Sequence, residues 1–345
     1  MATIYEEITP KFISTKWNEK ALERKPYLGE AIFPEEKQLG IELSYLQGDA
    51  PKIRTLDLSS FDAKAIPLSR EAFKTITTEM PFFKNFLDIN EKQRQQLNMV
   101  LASGNRAMID AILGKVFDDN SRLLNNAAIT REVLRMQALT TGAIAFASNG
   151  QAVSYDYGVP GDNKVTSDWH ASNADPIADL NTWADAIQNT TGERPTAALM
   201  NSQTMKLIAN ATTVKNAMYV FANGTVAPTT NAARKFVAQE TGIEIYVYDK
   251  GYTAEDGTFT KFVADDVVVV FDPMNVGKGV FGTTPEESDL MAGTDAEVEI
   301  VDLGVAITTS KEKDPVNVKT KASMIYLPVI TNANGIIIAD VSSQL

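Results

Sequence analysis

The chain has no cysteine and a single histidine, His170. The first absence removes disulfides, thiolate zinc sites and cysteine nucleophiles. The second removes every metal motif that needs two histidines and weakens any general-base assignment. No apolar run approaches the length of a membrane span. The opening residues, MATIYEEITPKF, show no basic stretch followed by an apolar one, so no secretory signal is read and the sequons at Asn189, Asn210 and Asn223 carry no weight. Cationic charge is scarce as well. Thirty-two Lys and Arg stand against 44 Asp and Glu, a net charge of −12, which makes a poor general binder of phosphate, where clustered cations are needed.

What is present is an ordinary globular composition, 44% hydrophobic and 22% charged, in 345 residues, enough for two or three domains and a sizeable core. Residues 9 to 24 read as a short amphipathic helix: Thr9 serves as N-cap, Pro10 suits the first helical position, and Phe12, Ile13, Trp17 and Ala21 share a stripe. Pro26, Gly29 and Pro34 then read as breaks in an extended arm. Residues 41 to 79 read as two long strands, near 42–58 and 63–78, reversing around Ser59, Ser60, Phe61 and Asp62. Legs of about 15 residues reach roughly 50 Å. A lone two-stranded hairpin is marginal in water, so this one needs a surface to lie on.

Residues 88 to 147 are the most helical part. Asn90 caps NEKQRQQLNMVLAS and Gly104 interrupts. Ile109, Ile112, Leu113, Val116, Leu123, Leu124, Ala127, Leu134 and Ala138 then keep close to helical spacing, with Asn125 and Asn126 as a candidate kink. Residues 148 to 170 read as loop and strand. A compact α/β region follows over 175 to 300. Asp175 and Pro176 open one helix stopped near Gly192, Asn201 or Ser202 caps a second, and Gly242 ends a third. The valine run Val267 to Val270 reads as a strand buried on both faces. Strands return over 301 to 345.

Chemistry-bearing candidates all have a plainer reading. His170 near Asp168 and Asp175 reads as a loop histidine. Asp265, Asp266 and Asp272, at the ends of the valine strand, read as turn residues rather than an open-sheet active site. Gly277, Gly279 and Gly282 lack phosphate-loop spacing, and Ser154, Ser167 and Ser202 lie in no nucleophile elbow. Lys311, Lys313, Lys319 and Lys321 around Asp314 read as a solvated or charge-paired loop. The hairpin charges Lys52, Arg54, Lys64, Arg70, Glu71, Lys74 and Glu79 read evenly as intersubunit contacts or as solubilising edge charges. No catalytic, cofactor-binding or metal residue is assigned, and no cofactor is expected.

Four stretches in order, FDAKAIPLSREAFKTITTEMPFFKNF (61–86), DWHASNADPIADLNTWADAI (168–187), FVADDVVVVFDPMNVGKGVFG (262–282) and KEKDPVNVKTKASMIYLPVI (311–330), resemble the major capsid proteins of tailed bacteriophages, and within them the lambda-type capsid protein E family. The resemblance implies an α+β, Hong-Kong-97-type fold. Residues 1–40 would be an N-terminal arm and 41–79 an extended loop lying over the next subunit. Residues 80–174 would form a peripheral domain with a spine helix near 105–140, 175–300 an axial domain, and 301–345 strands returning to the peripheral domain. It further implies a non-enzymatic shell protein of the virion, assembled in the bacterial cytoplasm as pentamers and hexamers around double-stranded DNA that it does not read by sequence. Its expected partners are further copies of itself, a separate scaffolding protein and a portal protein, with room for a decoration protein and no membrane. An encapsulin-like nanocompartment shell is the alternative. An enzyme built on 175–300 would need a converging polar site. On the hairpin, Leu56, Leu58, Phe61, Ile66, Leu68, Phe73 and Ile76 would supply about 10 kcal/mol gross against a neighbouring copy.

Overall fold

The computed structural model describes residues 9–21, 25–47, 74–102, 105–219, 227–254, 256–290, 297–312, 314 and 316–343. Two sheets and one long helix organise them. The helix, Arg106–Thr141, runs for 36 residues, about 54 Å. Asn105 caps it, its side chain accepting from the Met108 N–H at 3.3 Å, and Gly142 closes it in the left-handed conformation at φ 73°. The helix is unbroken through Asn125 and Asn126, the candidate kink. Every residue from Arg131 to Met136 is buried, so this turn and a half is enclosed on all sides, not merely on one stripe.

The five-stranded sheet has the order Lys164–Thr166, Ile336–Asp340, Val267–Phe271, Ala197–Met200, Glu244–Val247. The valine strand is its centre, flanked antiparallel on both edges, and Val268, Val269 and Val270 are fully buried. The pleat divides them. Val268 and Val270 join Ala198, Met200, Ile337 and Ala339 under the helices Pro176–Thr191, Ser202–Asn210 and Thr230–Thr241. Val269, Phe271 and Leu199 point the other way, into the core shared with the long helix. The expected caps are in place: Asp175 accepts from the Ala178 N–H, Asn201 from the Thr204 N–H, and Gly192 and Gly242 end their helices left-handed.

The six-stranded sheet has Val318–Ile330 as its long member. Residues 318–325 pair with Phe82–Ile89, and Val305–Lys311 pairs with 318–324. Beyond them, Gly277–Phe281 pairs with 326–330, and Glu35–Lys37 adds a parallel edge strand. Glu297–Val301 closes the other side.

The sheets partition the chain differently from the expected blocks. Residues 277–281 and 297–300, expected with the 175–300 unit, belong to the six-stranded sheet. Residues 336–340, expected to return with 301–345, instead enter the five-stranded sheet beside the valine strand, and 164–166 goes with them. The cause is pairing: Ile336, Ile337 and Ala339 are as buried as the valines opposite, and only a central slot hides both faces of such a strand.

Three local readings also change. Pro26 and Pro34 bracket a helical turn, Leu28–Ile32, where extended chain is expected. Gly29 is there for close approach: a Cβ would sit 2.5 Å from Glu132 Oε2 on the long helix. Residues 143–156 form a hairpin, Ala143–Ser148 against Gln151–Asp156, turning on Asn149 and Gly150, both at positive φ.

Candidate assembly interface

The extended loop of the sequence reading enters the structure as a stem. Glu42–Gln47 pairs antiparallel with Lys74–Glu79, Glu42 opposite Glu79 and Gln47 opposite Lys74. Its root is anchored. Leu43 and Met80 are buried, the Met80 N–H donates to Ile41 O at 2.9 Å, and the Tyr155 hydroxyl donates to Glu79 O at 2.7 Å. Glu42, Ser44, Thr77 and Glu79 are exposed, and Ser44 Oγ lies 3.1 Å from Thr77 Oγ1 across the strands. The turn near 59–62 and Lys52, Arg54, Lys64, Arg70 and Glu71 lie outside the described residues.

Directly after the stem comes Phe82–Ile89, sequence FFKNFLDI, an edge strand bonded on one side only among the described residues. Phe82, Phe86 and Leu87 are 40%, 56% and 36% exposed. Lys84 sits over the Phe82 ring and Lys319 over Phe86, at 5.4 and 5.1 Å to the centroids. Leu39 and Ile41, beside the stem, are exposed too. Monomeric proteins seldom leave a long apolar edge open.

Behind this surface lies a buried charge cluster on the long helix. The guanidinium of Arg131 donates to Glu35 at 2.9 Å and to Asp302 at 2.7 Å. Arg135 pairs with Glu35, donates from Nε to the Tyr326 hydroxyl at 2.7 Å, and lies 3.7 Å from Glu132. Glu132 Oε1 accepts from the Gly29 N–H at 3.0 Å and the Tyr248 hydroxyl at 2.8 Å. Glu132 and Arg135 are fully buried. Burial holds the Glu132 carboxyl above its ordinary value against its hydrogen bonds, and pushes the Tyr326 hydroxyl up to about 12. Arm, long helix and both sheets meet at this one knot. Removing one partner would leave a buried charge uncompensated, at about 3–5 kcal/mol.

The sequence candidates scatter. His170 Nε2 stands 3.2 Å from Asp266, while Asp168 accepts from the His170 backbone N–H and Asp175 caps its helix. Asp265 accepts from Lys261, whose hydrogen bond is the main cause holding its carboxyl below the usual range, and from Asn201, both at 2.6 Å. Asp266 sits at φ 59°, and Asp272 accepts within its turn from Met274 and Asn275. Gly277 and Gly279 lie on a strand, where a Cβ at Gly279 would meet the Tyr326 hydroxyl at 2.3 Å. Gly282 follows that strand, and its N–H donates to Ile325 O. Ser154 lies on the hairpin strand Gln151–Asp156, Ser167 donates to Asp179, and Ser202 begins a helix. Lys319 pairs with Glu312 and Lys321 with Glu286, each at 2.6 Å. Lys311 ends its strand, and Lys313 is outside the described residues. Among the described residues no group of three or more His, Asp or Glu is placed to hold a metal ion, and no helix is long and apolar enough to cross a membrane.

A long helix laid on a mixed sheet, an anchored hairpin stem and an α/β unit of its own together define an HK97-like capsid fold. Solved structures share it from end to end. A prophage capsid protein from E. coli CFT073 aligns at TM-score 0.58 and 14% identity over 97% of this chain and 99% of that one. A phage-related protein from Bordetella bronchiseptica RB50 aligns at 0.56 and 11%, over 100% and 99%. A subunit of the cyanophage A-1(L) capsid aligns at 0.50 and 10%, over 92% and 93%. No curated protein sequence matches. The family model described as phage major capsid protein E matches residues 13–341, and the chain belongs to that family. It is a structural capsid subunit of the bacteriophage type, and the encapsulin-like alternative is the weaker match.

Proposed function

We propose that this chain forms pentamers and hexamers that close into an icosahedral shell around double-stranded DNA, in the cytoplasm of a bacterial host, with a separate scaffolding protein and a portal protein as partners. The observation that carries this reading is the family match over residues 13–341, which leaves no sizeable part of the chain for another activity. The subunit acts as wall, not as catalyst. The five-stranded unit would gather around the ring axes as the axial domain, taking in 164–166 and 336–340. The six-stranded sheet with the long helix would be the peripheral domain, and the stem would carry the loop that reaches the next copy. An acidic subunit leaves packaged DNA mobile, since few clustered cations offer phosphate sites. Small contacts repeated around closed symmetry stabilise the whole collectively.

Electron microscopy of the purified protein, expressed alone and with its neighbouring genes' products, is the test. Closed particles of uniform size that hold nucleic acid are expected. A monodisperse monomer under every condition would overturn the reading.

A further inference from the structure

We infer that the free edge of Phe82–Ile89 pairs with the same edge of a second copy, antiparallel, about a two-fold axis through Phe86. The inference rests on the shell reading, since closed shells supply two-fold axes between rings. It begins from the eight-residue strand itself, which has no partner on its outer side among the described residues and exposes Phe82, Phe86 and Leu87.

A strand paired with its own copy is tightly constrained. Side chains alternate faces, so the two faces of the joined sheet match only if the axis passes through a residue. Centred on Phe86, the register sets Lys84 against Asp88, Asn85 against Leu87, Phe83 against Ile89, and Phe86 against itself. Both charges of each strand are then neutralised, and its most exposed aromatic is covered. The half-buried Phe83 and Ile89, already packed on the core, would extend that core across the axis. Centred on Lys84, the register would oppose like charges. Centred on Asn85, it would set Lys84 against Phe86 and Asp88 against Phe82, with no ion pair opposed. Lys84 and Asp88 are about 13 Å apart along their own strand, too far to meet in one chain.

The other candidate edge is Glu297–Val301, at the far side of the same sheet. The registers place Glu297 and Glu299 on the face that carries Asn85 and Leu87. A head-to-tail joint would therefore lay two carboxylates beside Leu87 with no cation on that face of the edge strand. The self-paired joint fits better on charge and on apolar cover.

The absence of cysteine makes the test clean. Opposed residues in an antiparallel pair have Cα atoms roughly 4.5–5.5 Å apart, within disulfide reach. Shells of Phe86→Cys should give a disulfide-linked dimer as the main species on mild oxidation, with nothing larger. Asn85→Cys alone should give little, and Asn85→Cys with Leu87→Cys should restore the dimer. Lys84→Asp should abolish shells, and Lys84→Asp with Asp88→Lys should recover them. Phe86→Cys shells that stay monomeric on a non-reducing gel would overturn the inference and leave the shell reading standing. A ladder beyond dimers from Asn85→Cys with Glu299→Cys would overturn it in favour of the head-to-tail joint. Failure of the wild-type chain to form particles would overturn both readings.

Discussion

Val267–Phe271 and Phe82–Ile89 are both strands rich in large apolar residues, and they meet opposite fates. The first is the centre of its sheet, with helices on one side and the shared core on the other, and four of its five residues are buried. The second is an edge with two half-buried residues and six exposed ones. Apolar content alone does not decide burial; the number of neighbours a strand finds inside its own chain does. Among the described residues both sheets end in edge strands, but those of the five-stranded sheet have only three and four residues, whereas the eight-residue edge of the six-stranded sheet follows directly on the stem and exposes Phe82, Phe86 and Leu87.

The contrast can be broken most severely at the stem. Replacing residues 50–71 with a short turn spares the paired residues 42–47 and 74–79. It should leave the unfolding midpoint of the subunit nearly unchanged while particles vanish from electron micrographs; intact shells would show that the loop is dispensable. Next comes the buried knot. Arg135→Ala leaves the buried Glu132 without a cation and Glu35 with Arg131 alone, and should destabilise the subunit by about 3–5 kcal/mol in denaturant unfolding. A loss under about 1 kcal/mol would mean that the cluster is not enclosed as described. The strand comparison can be put directly with one residue type. Leu199→Ala, fully buried, should cost about 2–5 kcal/mol. Leu87→Ala should cost the subunit about 0.5 kcal/mol or less, showing any larger effect only in the assembled shell.

A further small effect is in acid. Burial is the largest single influence and would raise the Glu286 carboxyl, but the hydrogen bond and charge of Lys321, with further hydrogen bonds beside them, together outweigh it and hold the group below its ordinary value. A depressed carboxylate contributes stability above its unfolded value, and that stability is lost as pH falls through the folded one. The melting temperature should therefore fall below about pH 4.5 less steeply in Glu286→Gln than in wild type. The difference should be about 1 kcal/mol or less, because Lys321 is partly exposed. Identical acid profiles would remove Glu286 from the account.

Local chemistry made the helices of the α/β unit legible in advance. Asp175, Asn201, Gly192 and Gly242 act within a turn of their own positions, so sequence neighbours carry the signal. The valine run was legible because hydrophobicity on both faces admits few placements. The Asn149–Gly150 hairpin carries a local signal too, since Asn-Gly between alternating strands marks a tight turn. The charge cluster had no such signal. Glu35 and Arg131, or Arg135 and Tyr326, are brought together only after the arm, the helix and the long strand have docked. The same holds for 336–340, whose place in the valine sheet depends on a long-range ladder that no nearby residue announces. The exposed edge at 82–89 had no signal either, since its sequence reads equally well as a half-buried strand.

Val318–Ile330 has a mechanical corollary. The stem runs through Met80 and Pro81 straight into Phe82–Ile89, which lies antiparallel along residues 318–325. If the loop grips a neighbouring copy as proposed, a pull along Phe82–Ile89 would load all rungs of that ladder at once in shear, instead of unzipping them one by one from an end. The continuation of the same long strand, 326–330, is paired with 277–281, so such a load would be handed lengthwise along one strand to the other half of the sheet.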